Sequence, residues 1–122
     1  GQPHMVFGTP GGDQQDQWTL QFFLNYVDFG MDLQEAMDAP SFHSQHFPSS
    51  FYPRDAHPGR VVVEAPISDS VRMALAARGH EIVEVRAWNN GQVNAVRFDP
   101  RSGIICGAAS PKAGGEAYAL GF

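Results

Sequence analysis

Met5-Val6-Phe7-Gly8-Thr9-Pro10-Gly11-Gly12 is a short apolar run that breaks into a glycine-rich turn, the pattern of a strand feeding a loop. The strongest helix signal of the chain follows directly. Leu20, Phe23, Leu24 and Val27 recur at i, i+3, i+4 and i+7, and Trp18, Phe22 and Phe29 widen that stripe. A helix this apolar is expected to be buried on most sides. Asp13 and Asp16 lie near its start, where carboxylates complement the helix dipole, and Gly30 is its stop signal. Two consecutive glycines before a helix either simply make the strand-to-helix turn, the commoner case, or also let a ligand approach the main chain and aim backbone N–H groups at it, which suits a negative oxygen.

Outward from this unit, Asp32-Leu33-Gln34-Glu35 has capping-box spacing and opens a short helix that Pro40 ends. The stretch Ser41 to Gly59, rich in Pro, His, Ser and aromatics, reads as an irregular covering segment with one or two short strands. Arg60-Val61-Val62-Val63-Glu64 is a strand. Ser68 or Asp69 caps a helix through Arg78, with Val71, Ala74 and Leu75 on its buried side and Gly79 past its end. The last third reads as a meander. Ile82 to Trp88 is one strand, Asn89-Asn90-Gly91 a tight hairpin turn, and Val93 to Phe98 the next strand. Asp99 to Gly103 then turns into Ile104-Ile105-Cys106-Gly107, and Ser110 to Phe122 is expected to run irregularly over the surface. Helices on an antiparallel sheet give an α+β architecture, expected as one domain over residues 1–122.

Composition narrows the function. Of 122 residues, 43% are hydrophobic and 17% charged, a globular balance. The net charge is −5 with only 8 Lys and Arg and no basic run, which argues against nucleic acid or an anionic membrane as partner. No apolar stretch approaches the roughly 18 residues of a membrane-spanning helix. The chain does not begin with Met, so a processed or excised segment is expected and the compartment stays open. Cys106, alone, excludes an internal disulfide; in an apolar strand with no basic neighbour to lower its pKa, it is expected to be a buried, inert thiol. His43 and His46 have metal-ligand spacing, but Pro40 and Pro48 bracket them too closely for a helix and no further ligand completes a set, so neither metal nor cofactor is expected. Asp13 and Asp16 as an acid–base pair is a weaker reading than helix-dipole complementation.

The stretch Phe7-Gly8-Thr9-Pro10-Gly11-Gly12-Asp13 resembles the glycine-serine/threonine-proline-glycine-glycine motif of the γ-glutamyltranspeptidases, members of the N-terminal-nucleophile hydrolase superfamily. The likeness continues in order. Asp28-Phe29-Gly30-Met31-Asp32-Leu33-Gln34-Glu35-Ala36 is similar to the family's D-x-G-x-x-x-x-E-A helix junction. Asp38-Ala39-Pro40-Ser41-Phe42-His43 is similar to its A-P-R-F-H segment, and Gly107-Ala108-Ala109-Ser110-Pro111-Lys112 to its closing G-A-x-D-P-R stretch.

The resemblance implies the C-terminal part of a small subunit, folded as part of an αββα sandwich. Its partners would be the rest of that subunit and the large subunit of the same self-cleaving precursor. It also implies transfer or hydrolysis of γ-glutamyl groups from glutathione-type small molecules, through an N-terminal threonine nucleophile. On this reading Gly11 and Gly12 give backbone N–H groups to the oxyanion, and Asp13, beside them, orients a substrate amine. Thr9 is internal, without a free amine, and is not the nucleophile; that threonine and the residues gripping the γ-glutamyl group lie upstream of the glycine pair. Asp13-Gln14-Gln15 replaces a small and then a basic residue, and Ser110-Pro111-Lys112 replaces Asp-Pro-Arg, which implies a divergent branch. The alternative is a self-contained α+β module whose glycine loop binds an anion without catalysis. A piece cut from a sandwich would expose an apolar face and self-associate.

Overall fold

The computed structural model describes residue 1 and residues 3–112. The expected irregular run to Phe122 therefore lies, from residue 113 on, outside the described residues. Strand β1 (Met5–Gly8) leads through one 3₁₀ turn (Gly12–Gln14) into helix α1 (Gln15–Val27) and then α2 (Leu33–Asp38). Next come β2 (Phe42–Ser44), β3 (Arg60–Glu64), α3 (Asp69–Ala77), β4 (Glu81–Val85), β5 (Asn94–Phe98) and β6 (Ile105–Ala109). The strands form two three-stranded sheets, ordered β1-β5-β6 and β2-β3-β4.

The first sheet is antiparallel, with Met5 opposite Arg97, Gly8 opposite Asn94, and Phe98 opposite Ile105. Period-2 alternation sends Met5 and Phe7 toward the helices and Val6 away from them. Phe22, Ala36, Met37, Val93, Ala95 and Ala108 make the core between α1, α2 and this sheet, with the Phe7 ring 5.2 Å from that of Phe22. Among the described residues nothing covers the far face of the sheet, where Val6, Val96 and Ile105 are exposed. The apolar stripe of α1 is likewise less covered than its pattern predicts. Only Phe22 is buried, while Leu20 and Val27 are more than half exposed, at 56% and 51%. Burial follows from what packs on a face, and the described residues supply one side alone.

Asp32 caps α2 as its spacing predicts. Its carboxylate accepts the Glu35 N–H at 2.7 Å, and Glu35 accepts the Asp32 N–H at 3.0 Å. Asp32→Ala should cost about 1 kcal/mol in a urea titration of the intact protein, since the Glu35 N–H loses its acceptor; an unchanged midpoint would contradict this.

The expected meander is only half right. Beta5 and β6 do form the hairpin across Asp99–Gly103, but Asn89-Asn90-Gly91 joins no hairpin. Strand β4 ends at Val85 and pairs parallel to β3 over five positions, Arg60–Glu81 through Glu64–Val85. Helix α3 is the crossover that a parallel pair needs. It buries none of its residues, and Val71, expected inside, is 47% exposed. The outer edge of β2 is braced by α1. Gln17 accepts the Ser44 N–H (2.7 Å) and donates to its carbonyl (3.0 Å), and Gln21 does the same for Phe42 (3.1 and 2.8 Å). At i and i+4 the two amides share one helix face and replace a neighbouring strand.

Candidate functional site

The glycine loop sits between β1 and α1, and its backbone needs glycine twice: φ is 139° at Gly11 and 59° at Gly12. Thr9 anchors it by donating its hydroxyl to the Pro10 carbonyl (2.8 Å) and accepting the Gln92 N–H (2.9 Å). Gln15 binds the Thr9 carbonyl at 2.8 Å. Among the described residues, neither the Gly11 nor the Gly12 N–H donates to another group. Trp18 forms the floor. A methyl group on Gly11 would lie 2.3 Å from its Cζ3, and one on Gly91 3.0 Å from its Cδ2, so the indole is held between two glycine backbones. The edge of His43 meets the same ring at 5.3 Å.

Asp13 follows the glycines, and its carboxylate is engaged by a neighbouring turn. It accepts the Ser50 hydroxyl, the Ser50 N–H (2.8 Å) and the Ser49 hydroxyl (2.9 Å). These bonds, those of Ser50 foremost, hold its carboxyl below the usual carboxylate range. Asp13 also borders a cleft of about 460 Å³ that Gln14, Gln17, Phe47, Ser49 and His57 help to line.

The other candidates are dispersed. His43 is buried in β2, and burial lowers its pKa; His46 lies outside that strand and accepts the Gly59 N–H at 3.0 Å. Cys106 is half-buried, and it does have a basic neighbour: Arg97, its partner across the β5–β6 ladder, donates to its sulfur at 3.7 Å. A cross-strand neighbour is invisible to a reading of adjacent residues.

Sequence reasoning missed a buried polar knot behind the loop. Glu64 is fully buried at the end of β3. Its Oε1 accepts the Asn90 N–H (2.8 Å), and its Oε2 accepts the Ser41 N–H (2.9 Å) and the Lys112 ammonium (3.3 Å). Lys112 also donates to the Ala39 carbonyl at 2.8 Å. Burial pushes its ammonium below the ordinary lysine range while the Glu64 charge opposes that shift. The knot fixes Asn90, hence Gly91 against Trp18, hence Trp18 under Gly11. A charged residue closing a run of three valines was the sole signal for it.

The site is thus a strand, a glycine loop and a helix start set in an α+β frame. The chain belongs to the γ-glutamyltranspeptidase family, whose model matches residues 1–120. It is 54% identical over 50 residues to a glutathione hydrolase proenzyme of Pseudomonas sp. strain A14, covering 41% of this chain and 9% of that protein. It is 33% identical over 115 residues to the acylase ACY 1 proenzyme of Pseudomonas sp. strain V22, covering 94% of this chain and 18% of the relative. The chain thus spans less than a fifth of these curated relatives. Among solved structures, LmbA2991HD superposes with a TM-score of 0.91 at 50% identity, over 98% of this chain and 21% of that one. The γ-glutamyltranspeptidase of Pseudomonas nitroreducens, in complex with L-DON, superposes with a TM-score of 0.75 at 25% identity, over 98% and 55%. The α+β layering is that of the N-terminal-nucleophile hydrolases.

Proposed function

We propose that residues 1–122 are one domain, the C-terminal part of the small subunit of an enzyme that hydrolyses or transfers γ-glutamyl groups of glutathione-type substrates. Gly11 and Gly12 supply oxyanion-hole N–H groups to it, and the nucleophile comes from upstream. The observation that carries this reading is the pair of glycine N–H groups, which donate to nothing among the described residues, in a loop braced by Thr9, Gln92 and Trp18. A tetrahedral intermediate places negative charge on the former carbonyl oxygen, and preorganised donors stabilise it without reorganising. The far face of the β1-β5-β6 sheet, uncovered among the described residues, supports the remainder of the same precursor as partner: a sandwich needs a second sheet there.

The isolated chain should therefore release no p-nitroaniline from γ-glutamyl-p-nitroanilide, and it should self-associate in size-exclusion chromatography. The intact protein should turn that substrate over. Turnover by the isolated chain above a blank, or none by the intact protein, would sink the assignment. The acylase relative favours a second reading, in which the same acyl chemistry acts on a different amide. Preference of the intact protein for an aliphatic or aromatic acyl amide over its γ-glutamyl counterpart would select that reading.

A further inference from the structure

We infer that the turn Ser49–Arg54 forms the wall that receives the leaving amine of the amide substrate, with Phe51 as its specificity-determining side chain and Asp13 as the residue that positions it. This rests on the reading of Gly12 as an oxyanion donor.

The ring of Phe51 stands against Gly12: a methyl group there would lie 3.0 Å from its Cε2. A ring this close to the Gly12 α-carbon borders the space that the oxyanion reading gives to the substrate. Phe51 is 64% exposed and Tyr52 95%, so the described residues leave two aromatic faces of the turn open. The turn is also held in shape. Beyond the Asp13 bonds, the Ser49 hydroxyl accepts the Phe51 N–H (3.1 Å), and the Ser49 N–H donates to the Asp55 carbonyl (2.9 Å). The Arg54 N–H donates to the Phe51 carbonyl (2.6 Å), and Arg54 itself is held at φ 68°. A non-glycine residue in the left-handed region persists only where its surroundings enforce it. The cleft bordered by Asp13, Phe47, Pro48 and Ser49 continues from this wall.

Charge bears on which side of the scissile bond meets Phe51. A γ-glutamyl group carries an ammonium and a carboxylate, and an aromatic face is a poor seat for a carboxylate. Asp13, the nearest anion in sequence, is already engaged by Ser49 and Ser50. We assign the amine side of the amide to Phe51, whose apolar face favours flat, apolar amines; an ammonium drawn to that face instead would make Phe51→Ala weaken both substrates in equal proportion.

The test uses the intact protein and two substrates, γ-glutamyl-p-nitroanilide and γ-glutamyl methylamide. Phe51→Ala should lower the anilide-to-methylamide ratio of kcat/KM about fivefold, within the range of one aromatic contact, chiefly through the anilide KM. Phe51→Leu should fall between. Asp13→Ala should shift the ratio in the same direction by releasing the turn, and Asp13→Asn, which keeps one acceptor, should shift it less. Saturation-transfer NMR with p-nitroaniline should show binding to the wild type and a lost signal in Phe51→Ala. An unchanged ratio, or loss of both substrates in equal proportion, overturns the inference. If the protein turns over neither amide, the γ-glutamyl reading fails, and the NMR result alone then decides for or against the aromatic wall.

Discussion

Gly12→Ala in the intact protein is expected to lower kcat by a factor on the order of 10², the lower end of what loss of one oxyanion donor costs. The α-carbon of Gly12 holds φ at 59°, and an added methyl group would stand 3.0 Å from Phe51. Both effects push the peptide out of its present orientation, and the N–H turns with it. The interaction forms only when charge develops on the substrate oxygen, so kcat and kcat/KM should fall together while KM holds. On the proposed self-cleaving precursor, cleavage into subunits should be as complete as in the wild type by gel electrophoresis. Gly30→Ala is the control: its φ is 68° and nothing lies within 4 Å of the added methyl, so it carries similar backbone strain far from the loop. Equal kcat values for the two variants would remove Gly12 from the oxyanion hole.

The second large effect is on stability. Glu64→Gln should destabilise the intact protein by about 3–5 kcal/mol, the cost of breaking one partner out of a buried ion pair. Glutamine keeps an acceptor for the Asn90 N–H, but its amide hydrogens then face the Ser41 N–H and the Lys112 ammonium, donors against donors. Lys112 is left charged, 4% exposed, and without the opposing charge of Glu64. Lys112→Met should cost less, because Glu64 retains two backbone donors. The double variant should be more stable than the sum of the two losses implies, a coupling that a double-mutant cycle reads directly. Strict additivity, or an unchanged urea midpoint for Glu64→Gln, would mean that the knot contributes nothing.

The knot also shows how far the site was legible from residues alone. The glycine pair, the helix behind it, the capping box at Asp32 and the strand at Arg60–Glu64 are local features, written in neighbouring residues and their spacing. Asp13 was singled out for lying beside the glycines. Its hydrogen-bond partners, Ser49 and Ser50, are 36 and 37 residues away, and no local pattern points to them. Phe51, Trp18 and Gly91 escaped for the same reason: each matters by which backbone it touches.

Asn89-Asn90-Gly91 marks the boundary between the two kinds of information. Its residues do favour a turn, and Gly91 does adopt a positive φ of 64°. A turn signal sets local dihedrals and does not choose which strands pair. Here β4 gains a full parallel ladder with β3, β5 fills the place between β1 and β6, and Glu64 seizes the Asn90 N–H. By itself, then, the sequence determined the elements, the family and the glycine loop, because those rest on short-range propensity and motif order. Tertiary structure alone decided the two-sheet topology, the clamp on Asp13 and the support beneath Gly11, because hydrogen bonds and ring contacts between distant residues exist only once the chain has folded.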